Sequence, residues 1–218
     1  MSRQLTNNQL LLEECIKQEF EEVSGYSDIS NYFEHFAATQ ILKDFNLSDE
    51  EIDCGNSGKG HDGGCDNVYV FLNDELITSD QIEDLNAGKG AYLDFYILQT
   101  KKSHSFGEAA IMRWKTISEN LLNMSNELET YSDRYNELIL ETFGIFRNAR
   151  TKLARIQPKI RFFYYYITLG TEIHPNVQKQ ADELIYIVKK YYPLAEVKVD
   201  FVTADQLMDM YYTDSEVR

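Results

Sequence analysis

Cysteine is scarce in this 218-residue chain. The three present (Cys15, Cys54, Cys65) are an odd number without framework spacing, so no disulfide scaffold is expected and a reduced, cytoplasmic setting is the simplest reading. Proline is equally rare, with three residues. No Ser/Pro-rich linker, internal repeat or low-complexity tract divides the chain, and at this length one α/β domain spanning 1–218 is expected. No apolar run approaches the roughly 18–20 residues that cross a bilayer. Met1 to Gln9 is polar and lacks an apolar core, so neither a membrane partner nor a secretory signal is expected. Positive charge is also short. Lys plus Arg is 21 against 36 Asp plus Glu, a net charge of −15, which disfavours indiscriminate adhesion to nucleic acid or anionic lipid.

What is present is ordinary in bulk and uneven in detail. Hydrophobic residues are 43% and charged residues 26%, which excludes a disordered chain. Residues 1–53 hold twelve acidic and three basic residues, whereas 147–161 hold six basic and no acidic ones. A polyanion partner is therefore disfavoured globally and allowed locally. A charged helix end is also commonly just a solvated face, favourable to the helix dipole.

Apolar spacing predicts a helix over 6–23, and a second starting near Ser30 or Asn31 with Phe33, Phe36, Ala37, Ile41 and Leu42 on one face. Residues 53–67 hold five glycines and read as a loop. A strand over 68–72, a turn at Asn73–Asp74, a returning strand at 76–78 and a short helix over 79–85 come next. Leu93–Lys101 reads as a central strand, apolar on both faces. Helices are expected over 107–124 and 126–155, then a strand at 160–168, a helix at 176–191, a strand at 196–202 and a helix at 204–212. The sections are an N-terminal helix (1–29), a motif-bearing core (30–105), a helical section (106–158) and a β-α-β-α section (159–212) of the kind that extends a parallel sheet. The aromatic strand Phe162–Tyr166 reads as one buried by helices on both sides rather than as a base-stacking platform.

The glycine loop fails as a phosphate loop. Gly58–Lys59 would need glycine where Asp53 stands and Ser or Thr where Gly60 stands. A zinc site from Cys54, His61 and Cys65 lacks a close ligand pair, and His104 as a fourth ligand has nothing to argue for it. A calcium loop from Asp53 fails at Gly55 and Gly64. The stronger constellation is Gly63–Gly64–Cys65–Asp66 at the head of one strand and Gln99–Thr100–Lys101 at the end of another. Residues i and i+2 of a strand share a face, so Gln99 and Lys101 project together. An acid, an amide carbonyl and an ammonium suit metal-assisted attack of water on a phosphodiester. Each also has a plain structural reading: Asp66 as a turn cap, and Gln99 and Lys101 as polar residues where a strand leaves the core.

These residues resemble the PD-(D/E)xK nuclease superfamily in its Gln-x-Lys variant. Within it, residues 60–70 followed by 95–101 are similar to the abortive-infection phage-resistance (AIPR) family, with the Phe33–Glu34–His35–Phe36 helix resembling that family's N-terminal part. The likeness touches most of 30–212, but only two short motifs are specific. It implies a restriction-endonuclease-like mixed sheet flanked by helices. It implies Asp66 and Gln99 as ligands of Mg²⁺ or Mn²⁺, Lys101 as the catalytic lysine and Glu34 as a helix-borne acid beside the site. Asp62 rivals Asp66. The implied activity is endonucleolytic cleavage of nucleic acid, DNA ahead of RNA, in phage defence. A homodimer would suit cutting two strands, and a C-terminal region or activator beyond this chain fits the greater length of family members. Gln99 in place of the usual acid weakens metal affinity, so a non-catalytic binding module with the nuclease fold is the alternative. Lys102, His104, Arg147, Arg150, Lys152 and Arg155 are the expected nucleic-acid contacts.

Overall fold

The central strand expected from two-sided apolarity organises the sheet. In the computed structural model, which describes residues 4–58 and 60–215, β3 (Tyr92–Lys101) lies in the middle of a five-stranded sheet of order β2-β1-β3-β4-β5. The readings at Met1–Arg3, Lys59 and the tail from Glu216 fall outside the described residues. Strand β1 (Asn67–Leu72) turns through Asn73 and Asp74, whose φ values are 50° and 68°. A pair of left-handed residues matches the twist of a tight hairpin. The return strand is short: β2 is only Glu75–Leu76. β1 pairs antiparallel with β3, while β4 (Lys159–Thr168) and β5 (Glu196–Val202) add in parallel. The sheet is thus mixed and open.

Helices cover both faces. On one, α4 (Glu108–Leu121), α5 (Glu137–Lys152) and α6 (Pro175–Tyr191) pack on Val68, Val70, Phe95, Ile97, Phe162, Tyr164 and Tyr166. On the other, α1 (Asn7–Glu22), α2 (Ile29–Leu42) and α7 (Ala204–Ser215) meet Leu98 and Ile167, with Tyr96 and Tyr165 beside them. The aromatic β4 is therefore a buried strand with rings on both faces. Among the described residues no helix is long and apolar enough to cross a membrane.

Several boundaries differ from the sequence reading. Asp28 caps α2 through the amides of Ser30 and Asn31, ahead of the expected caps. A short helix, α3 (Asp49–Cys54), occupies what read as the start of the glycine loop. It is opened by a Ser48–Glu51 capping box, a local signal present in the sequence. Residues 79–85 hold only a 3-10 turn at Ser79–Gln81. The helix expected from 126 begins at Glu137, capped by Asn136. The segment before it is held by side chains competing with helix hydrogen bonds: Asn123 accepts from the Ser125 amide, and Asn126 donates to the Asn120 carbonyl.

A short ladder ties the end of α3 to the sheet and fixes the path of the chain beyond it. The Val68 amide donates to the Gly55 carbonyl at 2.9 Å, and the Ser57 amide to the Asp66 carbonyl at 2.8 Å. Tyr69 lies across this crossing and donates its hydroxyl to the Ile52 carbonyl at 2.5 Å. Gly55 has an ordinary backbone (φ −86°, ψ −6°), so its role is steric. A Cβ there would stand 2.1 Å from Cε1 of Tyr69. Gly55→Ala is expected to cost about 1–3 kcal/mol by overpacking. Gly88→Ala, where a Cβ meets nothing within 4 Å, should change stability by under about 0.5 kcal/mol. Urea unfolding of the two variants checks this.

Candidate functional site

The site forms where β1 begins and β3 ends. The antiparallel register pairs Asn67 with Leu98, so its next step sets Asp66 beside Gln99. One carboxyl oxygen of Asp66, Oδ2, accepts from Gln99 Nε2 at 2.5 Å and from the Thr100 amide at 2.6 Å. Gln99 is 7% exposed, and its Oε1 is buried with no hydrogen-bond partner. Leaving such an oxygen unpaired costs about 1–3 kcal/mol. Lys101, two residues on, is the exposed last residue of β3.

The loop that delivers Asp66 is pinned from two sides. Trp114 of α4, fully buried, donates its indole N–H to the Gly64 carbonyl at 2.5 Å. Asn136 donates its side-chain amide to the Ser57 and Gly60 carbonyls and its backbone amide to the His61 carbonyl. Gly63 and Gly64 have φ of 65° and 84° and lie against α4. A Cβ on Gly64 would come 3.2 Å from Gln99 Oε1 and 3.1 Å from the Arg113 Cβ. Only glycine permits both the left-handed backbone and this approach. Asp62 closes the turn by accepting from the Gly64 amide at 2.6 Å.

Glu34 arrives from α2. Asn56, bridged to Asn67 at the head of β1, donates to Glu34 Oε2 at 3.0 Å. Nothing in the sequence marks Asn56 for this role, because the bridge is made by chain folding. Burial holds the Glu34 carboxyl above its ordinary range, opposed by hydrogen bonds from Asn56 and Asn31, with Asp62 raising it further. Asp66 is more strongly perturbed. Desolvation pushes its pKa up to about 8, against the Thr100 amide, which lowers it. The charges of Glu34 and Asp62 raise it and Arg113 lowers it. Asp66, Glu34 and Asp62 thus form one electrostatic group, with Gln99 at its floor. Asp62, weighed against Asp66 in the sequence, sits beside it in the same group.

The donor set is all oxygen, which suits a hard divalent cation such as Mg²⁺ or Mn²⁺. The Asp66 carboxyl and the unpartnered Gln99 carbonyl fit such an ion with the Gln99 amide turned so that its oxygen, in place of Nε2, faces Asp66. Among the described residues no three His, Cys, Asp or Glu side chains converge closely enough to hold a metal by themselves. Asp66 and Gln99 would therefore leave much of the coordination sphere to water and ligand, as Mg²⁺ commonly does. The residues weighed for zinc are dispersed in character: Cys65 is buried, Cys54 and His61 are exposed, and His104 pairs with Glu13 at 2.9 Å.

Of the basic residues expected to contact nucleic acid, Lys102 and His104 follow Lys101 at this end of β3, whereas Arg147, Arg150, Lys152 and Arg155 do not lie here. β3 and β4 are parallel, with Tyr92 opposite Lys159 at one end and Lys101 opposite Thr168 at the other. The 147–155 segment, which feeds the start of β4, thus lies about 30 Å of strand from Lys101. Arg147 donates to the Met124 and Asn126 carbonyls, Arg150 lies over the Tyr192 ring, and Lys152 is 3.9 Å from Glu83. Arg155 and Lys102 are exposed. Compared with known proteins, the chain matches no family model, no curated protein and no solved structure.

A carboxyl raised in this way favours the folded state when protonated. Its contribution is complete below the unfolded value of 3.8 and is lost as pH rises toward about 8. Asp66→Asn should therefore melt at a higher temperature than wild type in metal-free buffer. The underlying difference in unfolding free energy should widen between pH 5 and 8 to on the order of a few kcal/mol. A gap independent of pH would show that the carboxyl is not desolvated.

Proposed function

We propose that the chain is a metal-dependent phosphodiester hydrolase, an endonuclease of the PD-(D/E)xK type with a restriction-endonuclease-like core, resembling the AIPR family and acting in phage defence. The observation that carries this reading is the meeting of Asp66 and Gln99 across the β1–β3 seam, with an unpartnered Gln99 carbonyl and two further acids in the same group. Lys101 follows Gln99 on the same strand face, and Glu34 comes from a helix, which is the order of parts that the Gln-x-Lys resemblance implies.

In this reading Asp66 and the Gln99 carbonyl, turned toward it in place of Nε2, would hold Mg²⁺ or Mn²⁺. When bound, the cation polarises the phosphate and lowers the pKa of a water. Asp66 must give up its proton first, so affinity rises with pH up to about 8. The Lys101 ammonium orients the attacking water and offsets the negative charge that grows on the phosphate. Glu34, fixed by Asn56, takes the proton of that water through its raised carboxylate basicity. The buried Trp114 indole and Asn136 keep the Asp66 loop from drifting off the strand.

The test is incubation of wild type and Lys101→Ala with plasmid, single-stranded DNA and RNA in Mg²⁺ and then Mn²⁺. Wild type should cut, with DNA ahead of RNA, and Lys101→Ala should lose about two orders of magnitude or more in rate. Cleavage unchanged in both Lys101→Ala and Asp66→Ala would overturn the assignment. The amide contact that occupies Asp66 Oδ2 in the structure favours one second reading, a non-catalytic binding module. A melting temperature indifferent to millimolar Mn²⁺ would select it, because a ligand that binds only the folded state must raise that temperature.

A further inference from the structure

The glycine turn that delivers Asp66 also borders a cleft of about 320 Å³ lined by Gly63, Met112, Arg113, Thr116, Arg134 and Tyr135. Met112, Arg113 and Thr116 share a face of α4 by three- and four-residue spacing. Arg134 reaches the cleft from the segment before α5. That segment is held to the glycine loop because the Arg134 carbonyl meets His61 Nδ1 at 3.2 Å and the neighbouring Asn136 spans the loop. Both arginines are exposed, and neither side chain makes a hydrogen bond or ion pair among the described residues; Arg134 lies over the ring of Tyr135, itself in the cleft lining, at 5.6 Å. In a chain of net charge −15 this pairing is unexpected, since acids are plentiful. Arg147, Arg150 and Arg161 are by contrast engaged, the last in a two-pronged pair with buried Asp94 at 2.6 and 2.5 Å. Arg113 is also close enough to Asp66 to lower its pKa, so the cleft opens beside the carboxylate group.

We infer that this cleft is the seat for a nucleic-acid backbone phosphate next to the one that is cut. The inference rests on the hydrolase reading and adds to it the surface that binds substrate. Guanidinium forks match phosphate oxygens two at a time, while the Thr116 hydroxyl in the same cleft donates to the Met112 carbonyl at 3.1 Å. Met112, 53% exposed, offers the adjoining sugar an apolar floor. Phosphates contacted there position the chain without reading its sequence. The cleft also accounts for how so acidic a protein takes a polyanion: attraction is confined to this cleft, and the neighbouring acids accept phosphate only together with a cation. The basic 147–155 end, a strand's length away, is not required.

The experiment measures anisotropy of a labelled 20-nucleotide single-stranded DNA in Ca²⁺ at several salt concentrations. Its companion is the Mn²⁺-induced melting shift of each protein. Arg113→Gln/Arg134→Gln should bind at least about ten-fold more weakly than wild type. Its log–log salt slope should be shallower by about 1.4, the loss of two single-strand phosphate contacts, and its Mn²⁺ shift should be intact. Lys189→Gln/Lys190→Gln, an equal charge change at the end of α6, should bind within two-fold of wild type. Equal losses in the two double variants would reduce the effect to net charge and overturn the cleft. So would unchanged binding in the arginine variant, or no binding by wild type. If binding fails while wild type keeps a Mn²⁺ shift that Asp66→Asn lacks, the cleft is wrong and the metal site survives. If that shift is missing as well, the hydrolase reading falls with it.

Discussion

The burial of one carboxyl governs the architecture around it. Asp66 lies at the head of β1, with two hydrogen bonds on a single oxygen and two other acids in its field. Removing a carboxylate from water without a matched cation is costly, and the folded chain avoids much of that cost by favouring the protonated acid. Much of the surrounding structure serves to keep this unfavourable group where it is. Trp114 and Asn136 hold the loop before it, Thr100 holds its oxygen, and Gly63 and Gly64 let the chain pass close to α4. Strain of this kind is what sites prepared for an ion or substrate commonly show.

The sheet lets the fold tolerate such a site. Apolar rings on both faces of β3 and β4 give a three-layer core that reaches the β1–β3 opening through Cys65, Val68 and Trp114. Phe95 packs on Phe143 and Phe146, and Trp114 on Tyr164, well inside that core. The parallel pairing of β3 with β4 also separates functions by distance. The strand ends at Lys101 and Thr168 face the acid group's end of the molecule. The Asp94–Arg161 pair and the basic end of α5 belong to the other.

The charge distribution follows the same division. A net charge of −15 would repel a polyanion approached from most directions. The arginine-lined cleft beside the glycine turn is the local exception next to the acids. Its two arginines, Arg113 and Arg134, come from different structural segments. No run of basic residues announces them, whereas the run that is visible, 147–161, is largely engaged with carbonyls, rings and acids of its own fold.

Local sequence determined the strands, most helices and the loop. Two-sided apolarity marked β3 as central, turn-prone residues marked Asn73–Asp74, and glycine density marked 53–67 as irregular backbone. The same local logic misjudged α3 and the segment 122–136, where capping and Asn side chains outweighed apolar spacing. The motif spacing was legible for Asp66, Gln99 and Lys101 because alternation along a strand is a local property. What only the tertiary structure decided is which groups lie together: Glu34 through Asn56, Asp62 and Arg113 beside Asp66, and Arg134 with Arg113 in one cleft. Those neighbours are brought together by register and helix packing over tens of residues. Desolvation, the largest influence on Asp66, depends on atoms from several elements at once.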